Sequence, residues 1–171
     1  MKNKKNTKSF QKKEIIKLKR KLLKLWSEAC REKSNYTCIY CGAKRGEPSK
    51  ANPNSIIKID AHHLLQKEIK DTPLKYEIKN CAVLCSSCHK YNGEHSAHKS
   101  PIVFYDWFRN QYPENYNFVL NNSKIRINLD NINVLKEIES RLINKESLDL
   151  ELLKKLDEEF KNNPEKNLFN E

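Results

Sequence analysis

The sequence carries two Cys-x-x-Cys pairs, Cys38-Ile39-Tyr40-Cys41 and Cys85-Ser86-Ser87-Cys88, and these constrain the fold more than any other feature. Each pair is a short turn that aims two sulfurs at one point, and two such turns supply the four thiolates of a tetrahedral structural zinc site. Gly42 directly follows Cys41, which suits a knuckle whose backbone takes a positive φ so that N–H groups face the sulfurs. The alternatives are two independent redox pairs or a reduced cluster without metal. Neither is favoured, because a redox pair normally occurs once and four uncoordinated thiols have little physical motive. Cys30 and Cys81 stand alone and read as small buried hydrophobes, since four thiolates already fill the tetrahedron.

Between the pairs lies a β-branched run, Ile56-Ile57-Lys58-Ile59-Asp60-Ala61-His62, read as a strand that ends in the doublet His62-His63. Neighbours in an extended segment point to opposite faces, so adjacent histidines are suited to different tasks, one at a metal and one at a substrate. Residues 81–85 are short and apolar, either a second strand or an extended entry to the second cysteine turn. Ser86 or Ser87 is expected to cap a helix through Cys88, His89 and Lys90 towards Gly93. On that helix His89 is rotated roughly 100° from Cys88, so it points beside the thiolate site, where a second metal ion fits. All three glycines and all five histidines fall within residues 42–98, which confines the special backbone and the metal chemistry to one region.

These residues, taken in order, resemble the HNH endonuclease family of ββα-metal nucleases. The resemblance rests on CIYCG, IDAHHLL, KNCAVLCSSCHKYNG and HSAHKSPIVFYDWF, and covers roughly residues 36–110. It implies that His63 is the general base, that Asn80 supports the geometry of the first motif, and that His62 and His89 bind a catalytic divalent ion. Ala97-His98-Lys99-Ser100-Pro101-Ile102-Val103-Phe104 matches a further family element, which makes His98 the third ligand, with His95 the alternative. The implied chemistry is one-metal hydrolysis of DNA phosphodiester bonds, by nicking or double-strand cleavage, with Mg²⁺, Mn²⁺, Ni²⁺ or Zn²⁺ as the ion. The base acts through either Nε2 or Nδ1. Asp60 either holds a histidine tautomer or is a solvated strand end. The family serves phage, mobile-element, restriction and toxin roles.

The rest of the chain is helical in character. Residues 1–9 are polar, basic and unpatterned, and are expected to order only on a polyanion. From Phe10 to about Glu32, Ile15, Leu18, Leu22, Leu25 and Ala29 recur at helical steps, with Ile16, Leu23 and Trp26 broadening the stripe. Residues 1–25 alone carry a net of +10, residues 26–130 carry +4 and residues 131–171 carry −3, of a total of +11. A basic arm on a mildly basic body is the footprint of a nucleic-acid binder. Lys12, Lys13, Lys17, Lys19, Arg20, Lys21, Lys24, Lys44, Arg45 and Lys67 are the candidate DNA-phosphate contacts. A lysine-rich composition alone would produce a similar arm.

Residues 43–55 and 64–73 read as loops, and Leu74 to Asn80 as at most one helical turn. Pro101 opens a helix that Pro113 ends, its aromatics spaced as core. Asn117 to Asn128 forms either a hairpin or a helix followed by an extended piece, the second preferred. Asp130 and Ser147 are the expected N-caps of two final helices, the last stopped before Pro164. These acidic helices suit a cover or a homodimer contact.

The expected architecture is α+β: a small ββα-metal HNH core with a four-cysteine zinc site, flanked by an N-terminal basic helix and C-terminal helices. Residues 1–33 form the basic arm and amphipathic helix, 34–112 the nuclease core and 113–171 the helical extension. No apolar stretch precedes the first lysines and none approaches the ~20 residues of a membrane span, so a cytoplasmic protein with no membrane partner is expected, nucleoid-associated if bacterial or phage. The competing class is a non-catalytic zinc module that grips nucleic acid. It accounts for the cysteines and the arm, and leaves His62, His63, Asn80 and His89 unexplained as an ordered set.

Overall fold

The computed structural model describes residues 2–50 and 52–163, with the backbone alone for residues 2–9. The first helix, α1, spans Lys2–Lys33. It therefore includes residues 2–9, which the sequence led us to expect without order; lysine is a good helix former, and the run contains neither Gly nor Pro. Its stripe centres on Leu22, Trp26, Ala29 and Cys30, all buried, while Ile16 is 42% exposed and does not join it. The helix ends in a Schellman arrangement. The Tyr36 N–H donates to the Arg31 carbonyl (2.8 Å) and the Asn35 N–H to that of Glu32 (2.9 Å). Asn35 and Tyr36 both take a positive φ, and the Tyr36 hydroxyl donates to the Glu28 carboxylate, which holds the turn that leads to Cys38.

Strand β1 is Ile59–His63 and strand β2 is Cys81–Cys85. They pair antiparallel in the register Ile59↔Cys85 to His63↔Cys81. β1 begins later than the β-branched run suggests, because Ile56 pairs in an isolated bridge with Pro48 inside a folded loop. Between the strands the chain makes two 3₁₀ turns, Pro73–Tyr76 and Ile78–Asn80, where one helical turn was expected. After β2, Ser87–Tyr91 forms a single π-helical turn closed by the Asn92 N–H on the Ser87 carbonyl at 3.0 Å. Ser86 precedes this turn without a side-chain capping bond, contrary to the expected cap.

Four helices follow: α2 (Pro101–Gln111), α3 (Pro113–Asn122), α4 (Ile132–Ile143) and α5 (Leu150–Asn162). Pro113 opens α3 at a position where its missing N–H costs nothing. α3 is followed by an extended piece, so the hairpin alternative for 117–128 does not form. Asn131, not Asp130, caps α4 by accepting the Asn133 N–H. Asp149, not Ser147, caps α5 by accepting the Leu152 N–H. Pro164 lies outside the described residues. α4 buries Val134, Leu135, Ile138 and Leu142 and packs on α1, so one core runs from Leu22 to Leu153. Among the described residues no helix is long and apolar enough to cross a membrane.

Glu77 ties these layers together. It is fully buried. One carboxylate oxygen accepts the Lys79 N–H (2.8 Å) and the other the Leu148 N–H (2.7 Å). Its carbonyl accepts the indole N–H of Trp26 at 2.9 Å. Burial pushes its carboxyl up, and the hydrogen bonds from Lys79, Leu148 and Ser147 oppose that shift. Glu77→Ala leaves the buried Leu148 N–H and the half-buried Lys79 N–H unpaired, a buried orphan costing about 1–3 kcal/mol. Urea unfolding should therefore show a loss of roughly 3 kcal/mol; a change under about 0.5 kcal/mol would mean the carboxylate does not link the layers.

Candidate metal centres

Two turns bring the cysteines together. The Cys38 N–H donates to the Ala43 carbonyl (2.8 Å) and the Gly42 N–H to the Cys38 carbonyl (2.9 Å), with Gly42 at φ +74° as the knuckle requires. The Ile39 N–H reaches the Val83 carbonyl (2.9 Å), fastening this knuckle to β2, which ends at Cys85 and leads into the turn holding Cys88. The four Sγ atoms of Cys38, Cys41, Cys85 and Cys88 all lie within 4.8 Å of one another. Cys41 and Cys85 are 3.7 Å apart, and the edge of a tetrahedron with ~2.3 Å Zn–S bonds is about 3.8 Å. Crowding sets the thiols against each other. Hydrogen bonds from Cys38 and Cys88 draw Cys85 down, while Cys38 and Cys85 push Cys88 up. A cation would remove that conflict, and the four cysteines could hold a metal ion, in a composition compatible with structural zinc.

The strand pleat separates the two adjacent histidines. Asp60 and His62 share one face of β1, and Ile59, Ala61 and His63 share the other. On the first face, the ligand nitrogens of His62, His89 and His98 also lie within 4.8 Å of one another. His98 arrives because its N–H and that of Ala97 pair back on the carbonyls of His89 and Cys88 (3.2 and 3.0 Å). His89 Nδ1 faces Asp60 Oδ2 at 3.1 Å, and its Nε2 faces His98 Nε2 at 3.1 Å. The carboxylate therefore fixes the tautomer that donates from Nδ1 and turns the Nε2 lone pair inward. His62 Nε2 is buried with no hydrogen-bond partner. An orphaned imidazole nitrogen aimed at two others fits a metal ion, as does the 3.1 Å His89–His98 separation.

His95 belongs elsewhere. Asn92 Oδ1 accepts the N–H groups of Glu94 and His95, and that turn lays the His95 ring on Tyr40, centroids 4.4 Å apart and planes 4° apart. Its Nε2 lies 3.8 Å from Cys88 Sγ, beside the thiolates. The structure thus brings His98, and not His95, to His62 and His89.

On the opposite face, His63 Nε2 lies 2.9 Å from the Lys75 carbonyl. A carbonyl only accepts, so Nε2 carries the proton and Nδ1 holds the lone pair. The ring stacks on Trp26, with centroids 3.6 Å apart and planes 16° apart. Asn80, fully buried, clamps the chain just beyond His63. Its Oδ1 accepts the Leu65 N–H (2.7 Å), and its Nδ2 donates to the carbonyls of Leu65 (3.2 Å) and Leu74 (2.9 Å). Trp26 and the Lys75 carbonyl escaped the sequence reading, which took Trp26 as core; only the long-range fold brings them to His63.

Among the candidate phosphate contacts, Lys12, Lys13, Lys17, Arg20, Lys24, Lys44, Arg45 and Lys67 are exposed. Lys19 and Lys21 form short ion pairs with Asp130 (2.6 Å) and Glu139 (2.5 Å) that help hold α1 to the C-terminal layer, whereas Lys17 and Lys67 pair only loosely with their neighbours Glu14 (3.9 Å) and Glu68 (4.0 Å). No family model, curated protein or solved structure matches this chain.

Burial holds three of these imidazoles neutral. His62 is drawn down to about 3 by desolvation and by His89, His98 and His63; desolvation also lowers His63 and His89, the latter against the pull of Asp60. The folded pKa lies below the unfolded value of ~6.5, so the unfolded chain takes up protons that the fold refuses. Stability should fall as pH drops below about 6.5, by about 2 kcal/mol at pH 5 from His62 alone. Urea midpoints between pH 7.5 and 5 test this; a flat profile or greater stability at pH 5 would contradict it.

Proposed function

We propose that this chain is a divalent-metal-dependent endonuclease of the HNH type that hydrolyses DNA phosphodiester bonds. The observation that carries this reading is the division of labour between His62 and His63. One belongs to a three-nitrogen cluster with His89 and His98, and the other, on the reverse face, keeps a free Nδ1 on a ring held from two sides. A binding module has no use for that arrangement.

His62, His89 and His98 would hold the ion. When bound, a divalent metal supplies Lewis-acid stabilisation of charge on a phosphoryl oxygen and on the leaving 3′ oxygen. Imidazole ligands suit Zn²⁺, Ni²⁺, Co²⁺ or Mn²⁺ better than Mg²⁺, which prefers oxygens. His63 Nδ1 takes a proton from the attacking water, with Nε2–H anchored on the Lys75 carbonyl so that the ring does not rotate away. The lowered pKa of His63 keeps it unprotonated near neutral pH, as a base must be. Asp60 orients His89, and Asn80 fixes the chain that leaves His63. Lys12, Lys13, Lys17, Arg20 and Lys24 on α1 are the phosphate contacts, with Lys44, Arg45 and Lys67 on the loops. Lys19 and Lys21 contribute less, being paired already.

The test is nicking of supercoiled plasmid with Mg²⁺, Mn²⁺, Ni²⁺, Co²⁺ or Zn²⁺ supplied in turn. Wild type should cut, and His63→Ala should lose about 10²–10⁴-fold in rate while keeping its structural zinc and its affinity for duplex. If wild type binds duplex and cuts with none of the ions, the protein is a non-catalytic zinc-containing nucleic-acid-binding module instead. Equal cutting by His63→Ala would remove His63 as the base.

A further inference from the structure

The proposed base sits against a residue contributed by a distant part of the chain. Trp26 lies on α1, and its ring covers one face of His63 at 3.6 Å with a 16° tilt. The indole is itself immobilised. It is 2% exposed, and its N–H donates to the Glu77 carbonyl at 2.9 Å. Two nearly orthogonal constraints therefore act on the His63 ring. The bond from Nε2 to the Lys75 carbonyl fixes one edge in the ring plane, and the indole fixes the plane. Lys75 and Glu77 belong to the same short stretch ahead of β2, so the plane and the edge are referred to one piece of backbone.

A single hydrogen bond would leave the imidazole free to swing about the Nε2–oxygen line, carrying Nδ1 away from the water it serves. A positional error of ~1 Å in a reacting group can cost on the order of 10²-fold in rate. Face-to-face stacking of flat rings restrains that swing at little entropic cost, because Trp has two side-chain torsions, both already fixed by burial.

We infer that Trp26 is a positioning residue for His63: it sets the plane of the proposed general base, so α1 is part of the active centre as well as a basic arm. This rests on the nuclease reading above. It also assigns Trp26 a task distinct from filling the core.

The experiment uses the full-length, zinc-loaded chain and single-turnover cleavage of a duplex, with Trp26→Phe and Trp26→Leu made in wild type and in His63→Ala. Phe keeps a flat face against the imidazole; Leu keeps apolar bulk without one. Trp26→Phe should retain kcat within about threefold, and Trp26→Leu should lose about 10–100-fold in kcat. KM and zinc content should stay within twofold of wild type. In the His63→Ala background the residual rate should change less than about twofold with either substitution, because a residue acting through His63 has nothing left to position. Trp26→Met replaces Trp26→Leu if the latter does not fold. Cleavage by the non-aromatic variant at the wild-type rate overturns the inference while leaving the nuclease reading intact. An equal loss in the His63→Ala background also overturns it, since Trp26 would then act through the fold alone. Absence of cleavage by wild type with every ion removes the nuclease reading and this inference with it.

Discussion

Five residue pairs between β1 and β2, from Ile59↔Cys85 to His63↔Cys81, are the constraint on which the rest depends. The Cys85 end of β2 opens into the turn holding Cys88 and His89, and β1 delivers His62 and His63 at the other end of the ladder, opposite Ala82 and Cys81. Because side chains alternate along a strand, a slip of one residue would exchange the two histidines between faces. His62 would meet Trp26, and His63 would meet His89 and His98. The register thus decides which imidazole joins the nitrogen cluster and which stands alone.

A two-stranded pairing is marginal on its own in water. Here it is held at both ends by chemistry and behind by a helix. The thiolate site clamps the Cys85 end to the first knuckle, and Asn80 clamps the His63 end through three hydrogen bonds made by a fully buried side chain. α1 covers the face that carries His63, with Trp26 anchored on the Glu77 carbonyl. Glu77 then reaches Leu148, so the C-terminal helices support the same short stretch of backbone. Polar groups are costly to bury unless paired. Asn80 and Glu77 are fully paired, whereas His62 Nε2 is not, and that contrast marks the nitrogen cluster as a place prepared for a ligand.

Much of this was legible where the relevant spacing is short. Two knuckles, a doubled histidine on an extended segment and a glycine needing positive φ all follow from a few neighbouring residues. What was not legible depends on where distant pieces meet. His95 and His98 have similar spacing from His89, and only the turn built by Asn92 sends one to Cys88 and the other to His62. Asp130 and Asn131 are both good cap residues; the structure uses Asn131, whose Nδ2 also finds the Leu156 carbonyl. Trp26 read as core because its stripe is apolar, and it is core. Its second contact, with His63, comes from a strand 37 residues later in the chain, which no periodicity encodes.

One strand pair brings together two chemically different groups that could each hold a metal ion, one of thiolates and one of imidazoles. Titration of the metal-free protein with Co²⁺, followed by absorption, tests this directly. Sulfur-to-cobalt charge transfer in the near ultraviolet reports thiolate ligation, and imidazole ligation adds only weak visible bands. Two equivalents are expected to bind. The first brings the charge-transfer band, and the second brings visible intensity without it, is stripped first by a chelator, and is absent in His98→Ala. Saturation at one equivalent, or a second equivalent that also raises the charge-transfer band, would contradict it.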